Sequence, residues 1–418
     1  MNVLVTNTSI LNTGDSAILL ATRRILRRSL GPRTRFAVHD LQAAPAASRY
    51  PGLAPRSILY DDLAAAAPGV WRRRRMAVLL LLAVGLRRTP LGPFVARRLP
   101  ASLQIGLSDI ADADVVVSAG GTYLVPHYRV GPKLLELLVA IGLGRPMVLF
   151  TQSLGPFTGR WRWLLRYVLR HARVILVRDT QSRDHLMELG IPARLIIECA
   201  DAAFALASPL PSDLRQASAP RAAPRIAVSV RDWPHFAGDP KQGMSRYLDA
   251  VAAVVHRLVT KYGAEVRFVS TCQGVPEYWT DDSRVADAVL ARLPAGTQDH
   301  VSIDRDFHTP PELIELLHGY DAVVATRMHI AILALCAEVP VLPIAYEFKT
   351  EELFARLGFD DLVQPIESLD DESLCDALDR FLAARPRICA LLPTAVERAR
   401  RSALSAGDHV RTALARAR

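Results

Sequence analysis

Asp321-Ala322-Val323-Val324-Ala325-Thr326-Arg327-Met328-His329-Ile330-Ala331-Ile332-Leu333-Ala334-Leu335-Cys336 places a basic pair between two apolar runs. The first run is short and β-branched and reads as a buried strand. The second reads as a helix. A strand that feeds directly into a helix is the unit of a parallel α/β sheet. In such sheets ligands bind beyond the carboxyl ends of the strands. Free backbone N–H groups and the helix dipole attract anions to the same place. A guanidinium from Arg327 and an imidazole from His329 at this junction therefore point to an anionic substrate and a proton donor.

The rest of the chain extends the same pattern. In the first half Asn2 to Thr6, Asp114 to Ser118, Pro146 to Thr151 and Val174 to Val177 read as strands. Helical patterns run over Ser16 to Leu30, Pro132 to Leu143 and Trp161 to His171. Ala207 to Pro224 carries four prolines with little apolar periodicity and reads as a linker. The alternation restarts with a strand at Arg225 to Val230, a helix at Ser245 to Tyr262 and a strand at Glu265 to Ser270. A helix at Pro311 to Leu317, a strand at Val339 to Ala345 and a helix at Lys349 to Leu357 follow. An Arg-rich helical tail ends the chain. The expectation is α/β architecture with two Rossmann-like domains facing a cleft: an N-terminal domain over 1–206, a C-terminal domain over 225–389, and a helical tail over 390–418.

Composition fits a folded chain of this size. Of 418 residues half are hydrophobic and 22% are charged, which excludes a disordered chain. Of 51 basic residues all but Lys133, Lys241, Lys261 and Lys349 are arginine, as a GC-rich genome would give. The net charge of +9 suits anionic partners. Five cysteines without CxxC spacing read as reduced core residues, neither a zinc site nor a disulfide framework. Met1 to Val5 reads as a first strand, with no basic leader or long apolar run, so a cytoplasmic protein is expected.

One segment stands apart. Between Asp62 and Asp109 there is no acidic residue but there are eight arginines, four of them Arg72 to Arg75. The apolar run Met76 to Leu86 that follows is well short of the ~20 residues that span a bilayer. Two readings stay open: a surface resting on anionic lipid through 71–98, with Trp71 at the interface, or a core helix with solvated basic ends.

Arg231, like Arg327, falls at the carboxyl end of an expected strand. Arginine binds carboxylate and phosphate through paired hydrogen bonds, so two converging arginines suit a small ligand with two anionic groups. The bland reading of Arg231 is an ion pair with Asp232. An imidazole such as His329 serves as a general acid near neutrality. Asn12-Thr13-Gly14-Asp15 is a turn before a helix, either an ordinary cap or a pair, Asn12 and Asp15, that binds sugar hydroxyls. Ser118-Ala119-Gly120-Gly121-Thr122 is a Gly turn without the spacing of a dinucleotide fingerprint or a P-loop. Gln152-Ser153-Leu154-Gly155-Pro156 is a third loop at that edge. Lys349, beyond the last strand, is either placed to approach a phosphate or an ordinary surface lysine. No metal-ligand spacing is apparent.

In this order the motifs resemble the polysaccharide pyruvyl transferase family. The match runs from Asn12-Thr13-Gly14-Asp15 through the two loops above to Val177-Arg178-Asp179 with Ser182, Leu186 and Gly190. It continues through Ala200-Asp201-Ala202-Ala203-Phe204, Val228-Ser229-Val230-Arg231, Thr326-Arg327-Met328-His329, Pro340 and Tyr346-Glu347-Phe348-Lys349. Ala119 and Thr151 stand where glycines are often seen. The resemblance implies a GT-B-like fold and a reaction that uses phosphoenolpyruvate as co-substrate with no cofactor or metal. Its pyruvyl carbon would be transferred to two hydroxyls of a sugar in a polysaccharide or glycolipid precursor, giving a ketal and phosphate. Arg231, Arg327 and His329 match the family's donor-site residues, so the resemblance makes 225–389 the donor-site domain and 1–206 the acceptor side. Asn12, Asp15, Gly120, Gly121, Thr122, Gln152, Ser153 and Lys349 are the expected substrate-binding set. The expected partners are phosphoenolpyruvate and a saccharide or lipid-linked saccharide, with peripheral contact to the inner face of a membrane and no nucleic acid. A GT-B glycosyltransferase using a nucleotide sugar is the alternative, with Glu347, Glu351 or Glu352 on the ribose. A non-catalytic lipid- or nucleic-acid-binding protein is the third reading, and the chain lacks the basic–aromatic interleaving of nucleic-acid binders.

Overall fold

The computed structural model describes residues 1–87, 89–125, 130–208 and 223–416. Of the expected linker, 209–222 lies outside the described residues, as does Arg88 of the basic segment. The chain forms two compact units: Met1–Leu11 with Ile18–Ala205 and Ser402–Arg418, and Asn12–Ala17 with Leu206–Arg401. Two short stretches cross the division in sequence order. The turn at Asn12 groups with the second unit, and the end of the chain with the first.

The first unit is built on an eight-stranded parallel sheet. Its strands are β1 (Asn2–Thr8), β2 (Arg35–Asp40), β3 (Arg56–Ser57), β4 (Val115–Ser118), β5 (Gly121–Leu124), β6 (Met147–Leu154), β7 (Ala172–Val177) and β8 (Ile196–Glu198). The order is β3-β2-β1-β4-β6-β7-β8, with β5 added beside the end of β6. Strands β4 and β6 are buried throughout, which is why they read as unbroken apolar runs rather than alternating ones. Strand β2 carries no such signal, because Arg-Phe-Ala-Val-His-Asp ends in a histidine and an aspartate that are both fully buried.

The second unit has a six-stranded parallel sheet of β9 (Arg225–Ser229), β10 (Glu265–Phe268), β11 (Val301–Ile303), β12 (Ala322–Ala325), β13 (Val341–Ala345) and β14 (Gln364–Pro365). The order is β11-β10-β9-β12-β13-β14, so the strand order reverses between β9 and β12. That reversal is the switch point at which open α/β sheets take ligands. The helix expected from Ser245 begins earlier, at Pro240, and runs to Tyr262. Asp239 caps it by accepting from Lys241 N–H at 2.9 Å, Pro240 takes the first helical position, and Gly263 closes it at φ +62°. These are the start and stop signals of a full-length helix.

The helical tail also begins earlier than 390. One helix runs from Asp371 to Ala415 through Pro386 and Pro393. Its Ser402 hydroxyl accepts from Ala200 N–H at 2.9 Å. Four cysteines are buried as expected, and Cys389, on this helix, is exposed.

The helix Val70–Gly85 buries Leu80, Ala83 and Val84 in a cluster with Leu59, Leu63 and Leu103. Its other face leaves Trp71 75% exposed, with Val78, Leu81 and Leu82 also exposed. Among the described residues no helix is long and apolar enough to cross a membrane.

Candidate functional site

In the second unit the site forms where β9 and β12 end. The two strands pair in parallel with Ser229 opposite Ala325. Arg231 and Arg327 follow these partners at the same interval, so both guanidiniums leave the sheet at one level. Tyr247, fully buried in the helix Pro240–Tyr262, ties the two segments together. Its hydroxyl bonds Thr326 Oγ1 at 2.8 Å and the backbone of Arg231.

Arg327 is held by a carboxylate that sequence reading missed. Its Nε and Nη2 donate to Asp282 at 2.7 and 2.6 Å, a bidentate pair that fixes the guanidinium plane. Asp282 is 2% exposed and also accepts from Ser270 Oγ. Burial alone would pull Arg327 down, but Asp282 reverses this and pushes its pKa well up, so the cation is permanent. The neighbouring Cys272 thiol is pushed by burial to about 11 and stays protonated, which removes it as a nucleophile.

Arg231 rests on aromatic rings instead. Its guanidinium carbon lies 4.0 Å from the Tyr346 ring centre and 4.9 Å from that of Trp233. The two rings are 4.7 Å apart, and Nε donates to Asp232 O at 3.2 Å. The bond to Asp232 is thus to its backbone rather than to its carboxylate. Lys349 Nζ sits 5.2 Å from the Tyr346 ring centre and pairs with Glu347 at 2.5 Å. Burial raises the Tyr346 phenol, but Arg231 and Lys349, with a lesser part from Arg327, lower it overall. Tyr346 is therefore the point around which all three cations gather. It stood inside a recognised motif, but a strand-end tyrosine has no signal of its own to set it apart from packing.

His329 opens the helix Met328–Cys336, for which Arg327 is the cap residue. Its ring packs against Gly14. A Cβ built on Gly14 would stand 2.6 Å from the Cβ, Cγ and Nδ1 of His329, so only glycine lets the turn approach so closely. The turn is anchored on both sides: Thr13 N–H donates to Thr271 O at 2.9 Å and Thr13 Oγ1 to His308 O at 2.7 Å. Asn12 Oδ1 accepts from Gly14 N–H at 2.8 Å, and Asn12 bonds the Tyr278 hydroxyl, which also feels the Asp15 charge. Asn12 and Asp15 thus belong with the His329 side of the second unit.

The remaining expected binding residues lie at the carboxyl edge of the first sheet, in the first unit. Gly121 is registered with Gln152. Gln152 is fully buried and its amide donates to Ser118 Oγ at 2.8 Å and Ala119 O at 2.6 Å. Ser153 is buried between Arg178 Nε at 2.8 Å and Asp179 Oδ2 at 2.6 Å. Arg178 also donates to Asp201 at 2.5 Å and to Thr122 Oγ1 at 2.9 Å. One buried arginine therefore joins four of the motifs singled out in the sequence, and Gln152 and Ser153 shape the loops from within. Gly120 faces β6, where an added Cβ would meet Thr151 Oγ1 at 2.9 Å. Among the described residues no group of three His, Cys, Asp or Glu side chains is arranged to hold a metal ion.

Solved structures similar to the chain include HepE of Anabaena with UDP-glucose (TM-score 0.57, 12% identity, all of both chains covered). MnaA of S. aureus with UDP has a TM-score of 0.56 at 10% identity, covering 94% of this chain and 90% of that one. A glycosyltransferase of Rickettsia africae has a TM-score of 0.56 at 10% identity, covering 100% and 96%. These likenesses show the fold, two Rossmann-like units of GT-B type. The amylovoran biosynthesis protein AmsJ of Erwinia amylovora is 26% identical over 411 residues, 95% of this chain and 96% of that protein. The family model "Polysaccharide pyruvyl transferase" matches residues 12–347. The chain belongs to the polysaccharide pyruvyl transferase family and is an enzyme of that class.

Proposed function

We propose that the enzyme transfers the pyruvyl carbons of phosphoenolpyruvate onto two hydroxyls of one sugar residue in a polysaccharide or glycolipid precursor. The observation that carries the reading is the level placement of Arg231 and Arg327 on adjacent strands at the switch point. Two fixed guanidiniums match a donor with a carboxylate and a phosphate. Lys349 adds a third cation on the phosphate side.

His329 protonates the methylene carbon, which becomes the methyl group, and C2 becomes electrophilic. The first sugar hydroxyl bonds to C2 and releases its proton. The C2–O bond to phosphate breaks, and the arginines take up the charge that develops on the leaving group. The second hydroxyl then closes the ketal ring. Of the two hydroxyl protons, one restores His329 and one leaves with phosphate. The balance needs no oxidant, reductant or further cofactor. Asn12 and Asp15, next to His329, orient a hydroxyl or the donor. The exposed arginines and apolar residues of 71–98 rest peripherally on anionic membrane, where a lipid-linked acceptor is met.

The test is incubation with phosphoenolpyruvate and candidate saccharides, reading phosphate release and product mass. Phosphate release coupled to a pyruvyl adduct is expected. Turnover of a nucleotide sugar with no pyruvyl adduct on any acceptor would overturn the reading. The His329→Ala variant should bind phosphoenolpyruvate and lose turnover; full activity would remove the proton-donor role.

A further inference from the structure

The first unit contains a cavity of about 870 Å³ that the reaction above does not use. One wall is the start of the helix Val70–Gly85, with Val70, Arg73, Arg74 and Ala77. The other includes Phe157, Arg160 and Trp161. The volume is that of a ligand site rather than a packing defect. Its described lining is apolar apart from three arginines, two hydroxyls, the Trp161 indole N–H and the backbone, and it holds no carboxylate. Arg74 lies over the Trp71 ring, Arg160 over that of Trp161, and Arg73 donates to the Tyr60 hydroxyl at 3.3 Å. None of these three arginines pairs with a carboxylate among the described residues.

An apolar chamber with uncompensated cations is complementary to one kind of molecule, an apolar chain that ends in an anion. A nucleotide would need amide or carboxylate readers for its base, and the described lining holds neither. Beside the chamber the helix leaves Trp71 and Leu81 exposed, and the short helix Gly92–Ala96 packed on it leaves Phe94 58% exposed. This apolar flank is a path by which a chain can enter from a membrane.

We propose that the cavity binds a single-chain lipid phosphate, its chain against Val70, Ala77 and Phe157 and its phosphate on Arg73, Arg74 and Arg160. The saccharide such a lipid carries is the acceptor of the proposed function, and that part rests on that reading; the lipid site does not.

Dodecyl phosphate, below its micelle concentration, is the probe, titrated calorimetrically into the full chain without phosphoenolpyruvate. One molecule per chain is expected, bound at least tenfold tighter than dodecanol or inorganic phosphate. Ala77→Trp, which fills the chamber, and Arg73→Gln with Arg160→Gln, which removes the charge, should each weaken binding at least tenfold. Two results would overturn the proposal. One is wild-type affinity in both variants; the other is dodecyl phosphate binding no tighter than inorganic phosphate. Dodecyl phosphate binding without pyruvyl transfer to any saccharide would leave this site standing and reject the function. Transfer to a free saccharide without dodecyl phosphate binding would reject only this site.

Discussion

Arg327 and Asp282 form a buried bidentate pair across 2.6 and 2.7 Å, whereas Arg231, its neighbour over the switch point, is held by two aromatic rings. The two cations are thus fixed by unlike means. Asp282 occupies one edge of Arg327 and leaves Nη1 outside the pair. Replacing Asp282 by asparagine keeps the shape but strips the charge from a buried arginine, which costs roughly 3–5 kcal/mol where such pairs are broken. Asp282→Asn should lower the melting temperature and raise the KM for phosphoenolpyruvate by about tenfold or more. An unchanged KM would mean that Arg327 does not bind the donor.

The aromatic support of Arg231 gives a separable effect. A cation on a ring face is worth about 0.5–2 kcal/mol. Tyr346→Phe keeps the face and should leave donor affinity within about threefold by that scale. Tyr346→Leu removes it and should weaken donor binding by roughly 3- to 30-fold. Wild-type binding in both variants would show that the ring does not hold Arg231. A loss in Tyr346→Phe as large as in Tyr346→Leu would assign the work to the hydroxyl.

Gly14 tests the placement of His329. A methyl group at residue 14 would stand 2.6 Å from the imidazole, well inside contact distance. Gly14→Ala must therefore shift the ring, and a shift of about 1 Å can cost on the order of 100-fold in rate. The expected result is a large fall in kcat with little change in the KM for phosphoenolpyruvate. A fall in KM affinity with kcat intact would place the turn at the donor rather than at the proton.

How much of this was open to sequence reading follows from the range of each interaction. The Arg327-Met328-His329 junction was legible because a buried strand, a basic pair and a buried helix are contiguous, and hydrophobic pattern is a local signal. Arg231 was legible for the same reason. Asp282 was not, since Asp281-Asp282-Ser283 looks like any helix start and its partner lies far along the chain. Strand β2 was hidden because His39 and Asp40 are buried through long-range partners, Glu136 among them. Gln152 and Ser153 were recognisable as motif residues, but recognition did not reveal that both are buried and spent on internal bonds. The Arg178 contacts that make them so come from the next strand's end.

Thr151 shows what a departure from the family pattern does to the backbone. It stands where glycine is often seen, and its φ is +44°, a region that β-branched residues avoid. Its hydroxyl is buried without a hydrogen-bond partner among the described residues. Backbone strain of this kind costs on the order of 1–3 kcal/mol. Thr151→Gly removes both penalties, and glycine's own entropic cost of roughly 0.5–1 kcal/mol offsets part of the gain. The variant should melt at the same temperature or a few degrees higher. A drop in melting temperature would show that the threonine side chain contributes packing that outweighs the strain.

His39 should make stability depend on pH on the alkaline side. It is fully buried, with Nδ1 at 2.6 Å from Glu136 and Nε2 at 3.3 Å from Asp109, and Arg56 pairs with the same aspartate at 2.6 Å. Burial pulls the imidazole down, but Glu136 and Asp109 together outweigh it and raise its pKa from 6.5 to about 9. A group that holds its proton more tightly when folded stabilises the fold fully below its unfolded pKa. That contribution fades as pH rises through the folded value. Here the window runs from 6.5 to about 9, and a shift of that size corresponds to roughly 3 kcal/mol. Asp61, raised by burial to about 6, loses its own contribution below this window and does not mask it. Wild type and His39→Gln should therefore differ most in melting temperature near pH 6 and converge towards pH 9 to 10. A constant gap across that range would show that His39 is buried neutral and that the Glu136 contact carries no net charge pairing.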